Sequence, residues 1–231
     1  MRWDILTDNY QKLLEGTWTT LWMVALSLAI GLVIALFTAV MSTSKNPLMR
    51  WPAETFSYLF RGTPMIVQLY IFYYGFGIVL GSIEGIQDSF LWPVIRLSWP
   101  WAILAMSLNN AAYTCEILRG GIQAMPHGEV EAAKAVGMSR GQMLRRIILP
   151  SAFRRSLPAY GNEVIYMLHG SAVLSWVAVT DLTGVARRLR DDYYESTTPF
   201  IGATLIYLTI TVCIVLLFKQ LEKRYLSYLQ R

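Results

Sequence analysis

The chain has 231 residues, of which 55% are hydrophobic and only 15% charged, with a formal net charge of +5. An average soluble domain carries about 25% charged residues, so this composition excludes an ordinary soluble domain and leaves little support for a nucleic-acid partner. Cys115 and Cys213 have neither the spacing of a metal site nor that of a redox pair, and are expected to be small packing residues.

A bilayer core takes about 20 mostly apolar residues per helix. Five runs qualify, at roughly 17–42, 54–80, 99–122, 156–180 and 198–219, with a polar insert at about 123–153. The predicted fold is therefore an all-α integral membrane domain spanning 1–231, with five transmembrane helices. The first run opens on Gly16-Thr17-Trp18-Thr19-Thr20 and is too long and too polar there for a cleaved signal peptide. The second is expected to be interrupted at Gly62-Thr63-Pro64, because Pro64 removes an amide donor and clashes with the carbonyl four residues back. If the N-terminus lies outside, the inner segments hold thirteen of the twenty basic residues. The positive-inside rule then predicts an outer N-terminus and an inner C-terminus. Asp181 to Glu195, rich in both charges, falls outside as a loop suited to ion pairs with a soluble partner, and six of the eight tryptophans sit near predicted interfaces.

The insert can be read in more detail. Pro126-His127-Gly128 breaks the third run, and Glu129 and Glu131 stand where acidic residues suit a helix N-terminus. The alanines that follow favour helix, and Gly137 is placed as its stop. Ser139 with Gln142 forms a capping-box pattern for a second short helix, which Pro150 is expected to end. Ala132, Ala133 and Val136 then make a small apolar face that another protein can approach. An amphipathic loop lying on lipid headgroups would share these features, and Arg145-Arg146 suit it.

The string Glu131-Ala132-Ala133, Gly137, Ile147-x-Leu149-Pro150 resembles the "EAA" loop of bacterial ABC-importer permeases. Phe60-Arg61-Gly62-Thr63-Pro64, Ala112-Tyr113-x2-Glu116-Ile117-x-Arg119-Gly120 and Leu157-Pro158-Ala159-Tyr160-x-Asn162-Glu163-Val164-Ile165 resemble the polar amino-acid permease family in order and spacing. His127-Gly128-Glu129, where many members have Gly-Gln, and His169, where many have Lys, resemble the M-type membrane subunits of histidine/lysine-arginine-ornithine and opine importers. The resemblance implies a five-helix permease in the bacterial inner membrane with a periplasmic N-terminus. It also implies a pair of ATPase subunits, a second permease subunit that is a paralogue, a periplasmic solute-binding protein and an amino-acid substrate. Glu131, Ala132, Ala133 and Gly137, with His127 and Glu129, are then the residues that seat the loop on the ATPase.

Ionisable groups at membrane depth are costly, and they mark a pathway or pair with one another. Counted from the inner ends at about 1.5 Å per residue, Arg61, Thr63, Glu116 and Glu163 reach similar depths. One arginine and two glutamates are therefore expected to share a cavity. Glu163 is the leading substrate contact, since a carboxylate in a dehydrated cavity attracts an ammonium or guanidinium strongly; otherwise it braces the helix break through Arg61. Asn162 and Tyr166 line neighbouring faces of the same helix. Broken helices at mid-membrane form substrate sites, so Thr63, the Gly62 backbone and Arg61 are candidates for the α-carboxylate, unless Arg61 locks the two helices together. Asn109 and Tyr113 continue the face of Glu116, which pairs with Arg119 within one helix, and can line the path. His169 reads as a hydrogen-bonded helix residue.

No Gly-x4-Gly-Lys-Ser/Thr phosphate loop, His-Glu-x2-His zinc motif or Gly-x-Ser-x-Gly elbow occurs. The chain is expected to be no enzyme and to need no cofactor or metal, its energy coming from a partner ATPase. A proton-coupled secondary transporter and a non-transporting assembly subunit are the alternatives; the absence of an internal repeat argues against the first, and the mid-membrane polar residues against the second.

Overall fold

Asn9 separates a short N-terminal helix, α1 (Asp4–Asp8), from α2 (Tyr10–Ser42), which is apolar over nearly its whole length. The structure, a computed structural model, describes residues 2–226, and every regular element among them is helical. Asn46 caps α3 (Pro47–Arg61), its side chain accepting the Leu48 amide at 3.0 Å, while Pro47 occupies a first-turn position where no amide is needed. The chain restarts at α4 (Met65–Tyr70), widens into a π-helical stretch (Ile71–Gly77) and ends in α5 (Ile78–Gly81). A short α6 (Trp92–Ile95) leads into the central helix α7 (Ser98–Gln123). Next come α8 (His127–Ala135), α9 (Arg140–Met143), a second π-helical stretch (Leu144–Ile148) and α10 (Leu149–Gly170). A 3-10 segment (Ser171–Trp176) precedes α11 (Leu182–Tyr193) and α12 (Thr197–Tyr225).

By length and composition α2 and α12 each suffice to cross a membrane, and α3 with Met65–Gly81 makes a third if the pair counts as one span bent by 102°. At 26 and 22 residues α7 and α10 are long enough as well, but they bury Asn109, Asn110 and Glu163 among their apolar positions.

Three expectations need correction. The run at 156–180 is not one helix: the α-form begins at Leu149 and ends at Gly170. Beyond it the Ser171 and Ser175 hydroxyls bond the carbonyls of Leu168 and Ala172, three residues back, in keeping with the tighter 3-10 turn. Pro150 does not stop a second short helix, and the chain stays helical from Arg140 to Trp176. The Leu149 amide reaches back five residues to the Leu144 carbonyl, and this wider turn admits the proline ring in the first turn of α10. Asp181 to Glu195 is no loop. Asp181 caps α11 through the amides of Gly184 (2.9 Å) and Thr183 (3.2 Å), and Leu182, Val185, Ala186 and Leu189 recur at helical spacing to pack with Ile5, Leu13 and Ala203.

The deepest seam joins α2 to α7. Gly16, Thr20, Ser27, Gly31, Ala35 and Ala39 keep α2 thin along one face, as close helix approach in a membrane requires. A Cβ on Gly31 would lie 2.9 Å from the Ser107 carbonyl oxygen. Gly31→Val is therefore expected to push the helices apart at about 1–3 kcal/mol, seen as a lower unfolding midpoint of the detergent-solubilised chain. Gly120→Ala, where an added Cβ meets open space, should leave the midpoint unchanged or raise it. α7 and α10 approach as closely: a Cβ on Gly121 would lie 2.7 Å from the Ala152 carbonyl, and Ser156 donates to the Ile117 carbonyl at 3.0 Å. α12 lies against the other side of α10, where Phe218 covers Gly161.

At the end of the molecule formed by α11, a polar knot ties three helices. The Leu182 amide donates to Thr20 Oγ1 of α2 at 3.1 Å, and Tyr207 of α12 lies 3.1 Å from the Thr183 hydroxyl and donates to Asp181 at 3.4 Å. Glu195 accepts the Thr197 amide (2.9 Å) and the Thr198 amide (3.0 Å), capping α12; the Thr198 hydroxyl first, and then these amides, hold its carboxyl below the usual glutamate range.

Candidate substrate cleft and coupling helix

The break between α3 and α4 is built by one side chain absent from the candidate residues, Gln68. Where α3 stops, its last carbonyls lose their helical partners. The Gln68 amide nitrogen lies 2.7 Å from the Phe60 carbonyl oxygen, 3.0 Å from that of Thr63 and 2.8 Å from Thr63 Oγ1. Gln68 Oε1 in turn accepts from Asn109 Nδ2 of α7 at 3.0 Å. The Thr63 hydroxyl donates to the Leu59 carbonyl, so it is committed inside the break.

Beside the break lies a cleft of about 380 Å3 whose wall includes Met65, Asn109, Tyr113, Glu163 and Tyr166. Glu163 is 7% exposed, and its Oε1 accepts from Asn110 Nδ2 at 3.2 Å. Its Oε2 accepts no bond from the described residues. A carboxylate held this way keeps one oxygen for a donor entering the cleft, whose wall also carries the exposed rings of Tyr113 and Tyr166; aromatic rings suit a cation. Asn162 is exposed on α10 and lies outside this wall.

Arg61 does not join Glu163. It lines a separate cleft of about 470 Å3 with Glu54, Tyr58, Glu116 and Arg119. Its guanidinium stands 3.9 Å from Glu116, which also pairs with Arg119 Nε at 3.0 Å and accepts from Ser57 at 3.0 Å. The expectation that one arginine and two glutamates share a cavity is therefore corrected. Equal depth fixes a level in the membrane, but the two carboxylates look out in different directions around α7 and α10. Bracing of Glu163 through Arg61 fails for the same reason. His169 Nε2 lies 3.0 Å from the Thr211 hydroxyl and joins α10 to α12.

In the insert, Gly137 adopts φ +77° and closes α8 with the amide of Met138 bonded to the Ala133 carbonyl at 3.1 Å and its own amide to that of Lys134 at 2.9 Å. Ser139 and Gln142 form the full capping box, at 3.3 and 3.0 Å. His127, Glu131, Ala132, Val136 and Gly137 are exposed, but Ala133 is 4% exposed and turns inward. The apolar face is thus Ala132 and Val136, four apart on one side, without Ala133. Glu129 reaches Arg155 of α10 at 3.6 Å and ties the insert to the helix that carries Glu163.

Asn110 and Gln68 escaped the sequence reading, although both left a trace in it. Asn110 adjoins Asn109 in an apolar helix, and Gln68 is a lone amide four residues past Pro64.

Residues 27–227 match the family model described as the binding-protein-dependent transport system inner membrane component. The chain is 43% identical over 224 residues to the histidine/lysine/arginine/ornithine transport system permease protein HisM of Escherichia coli K12, covering 97% of this chain and 92% of that one. It is 39% identical over 217 residues to the octopine transport system permease protein OccM of Rhizobium radiobacter, covering 94% and 87%. A solved amino acid ABC transporter with histidines shares the fold at a TM-score of 0.83 and 31% identity, over 97% of this chain and 99% of that one.

Proposed function

Since the chain belongs to the inner membrane components of binding-protein-dependent transport systems and is a permease subunit of an amino-acid or opine ABC importer, we propose that it carries basic amino acids or opines through the cleft at Glu163. The carrying observation is the buried carboxylate with one oxygen free toward a cleft walled by Tyr113 and Tyr166. Such a site takes an α-ammonium or a cationic side chain, with Asn109 and Tyr166 as further contacts. Thr63 braces the helix break, Arg61 pairs with Glu116 of α7 in the separate cleft, and Asn162 stays outside the cleft wall.

In this reading the chain crosses the membrane five times, with α3 to α5 as one broken span, the N-terminus periplasmic and the C-terminus cytoplasmic. A pair of ATPase subunits receives α8 through Glu131, Ala132, Gly137 and His127. Their closure moves α8, and the Glu129–Arg155 pair and the close α7–α10 contact carry that movement to the walls of the cleft. The cleft then opens alternately to the two sides of the membrane. The periplasmic solute-binding protein delivers substrate on the side of α11, and a second, paralogous permease subunit completes the path.

The test is ATPase stimulation in the reconstituted complex with its binding protein, across arginine, lysine, histidine, glutamine, glutamate and octopine. Stimulation confined to the basic amino acids and octopine is expected. Stimulation by glutamine or glutamate alone would overturn the proposed substrate class.

A further inference from the structure

Where α2, α3 and the second π-helical stretch meet, the surface holds an apolar groove of about 640 Å3. Phe37, Val40 and Met41 of α2 face Leu144 and Leu149 across it, and Ser44 is the one polar residue in its wall. Phe37 is 69% exposed. Leu144 and Leu149 are bonded across the π turn and both line the groove, and Arg145 follows Leu144 in the chain. On the α2 side Lys45 follows Ser44. Both cations are exposed and neither has an acidic partner among the described residues, whereas Arg50 nearby is paired with Glu54 at 3.6 Å.

We propose that the groove binds one acyl chain of an anionic phospholipid of the cytoplasmic leaflet, whose phosphate is held by Lys45 and Arg145. The inference rests on the orientation proposed above, which puts the inner end of α2 at that leaflet. An apolar slot with an exposed cation next in the chain to a wall residue on either side matches the two halves of such a lipid, and basic pockets between helices on the cytoplasmic side bind anionic headgroups. A second copy of this chain fits the groove poorly: a two-fold contact brings each patch against itself and would set these cations against their own charge. The ATPase is served elsewhere, by the exposed face of α8.

The test uses the assembled transporter, co-expressed with its partner subunits and reconstituted in an equimolar mixture of phosphatidylglycerol and phosphatidylcholine. Native mass spectrometry then counts the lipid retained on extraction. Phosphatidylglycerol should be retained in preference, at one molecule per copy of this chain. Lys45→Gln with Arg145→Gln should lower that preference about fivefold for each cation removed, and Val40→Trp, which fills the groove, should abolish retention. Equal retention of both lipids, no retention in the assembled complex, or a preference untouched by the charge variant would each overturn the proposal. The charge variant changes only exposed side chains, so it decides the matter even if Val40→Trp fails to assemble. Substrate-stimulated ATPase activity on the same samples separates the two readings, since lipid retention does not depend on which amino acid is carried.

Discussion

Glu163→Gln is expected to raise the substrate concentration needed for half-maximal ATPase stimulation by about 10- to 100-fold while leaving the complex assembled. The substitution keeps the shape of the side chain and an oxygen for Asn110 Nδ2, so the one internal bond of Glu163 survives. What is lost is the charge. A hydrogen bond to a charged partner is worth about 1.5–3 kcal/mol, which sets the expected range. Asn110→Leu should act differently: it leaves Glu163 buried without its donor and is expected to lower the unfolding midpoint as well as the response. Unaltered stimulation by arginine or lysine in Glu163→Gln would make the residue structural and move specificity to the binding protein.

Gly137→Val is expected to uncouple the importer. At φ +77° a β-branched residue is a strained outlier, costing on the order of 1–3 kcal/mol. An added Cβ there meets nothing within 4 Å, so the effect comes from the backbone alone. The last turn of α8 should open, the bonds from Met138 and Gly137 back to Ala133 and Lys134 should be lost, and Ala132 and Val136 should no longer present a fixed face. ATP hydrolysis without transport, or loss of the ATPase during purification, is the expected result. Gly137→Asn, which tolerates the left-handed region, should retain most of the transport. Gly128→Ala, also in open space but without a positive φ, should change little. If Gly137→Val transports normally, the turn does not carry the signal.

What the sequence made legible was local. The capping box at Ser139, the stop at Gly137 and the interruption at Pro64 each depend on residues a few positions apart, and each has its predicted geometry. Helix α11 was also legible through Leu182, Val185, Ala186 and Leu189, but its charges drew attention to the opposite face. Pro150 misled because the rule against interior prolines assumes an α-helical turn, whereas here a π turn precedes it. The grouping of polar residues was not legible. Counting residues gives the height of a side chain along the membrane normal but not its direction around the helix, so the similar depths expected of Arg61 and Glu163 do not bring them to one cleft. Gln68 and Asn110 act across 41 and 53 positions, on Asn109 and Glu163, and only the fold brings those partners together.

The knot of Thr20, Asp181, Thr183 and Tyr207 clamps α2, α11 and α12 at one end of the subunit. At the other, α8 is held to α10 by the Glu129–Arg155 pair at 3.6 Å and to the rest of the insert by the buried Ala133. If the ATPase pair acts on α8 as proposed, a push there meets fewer polar ties than one applied at the knot, and the knot would serve as a fulcrum. Delivery and propulsion would then not compete for the same moving surface.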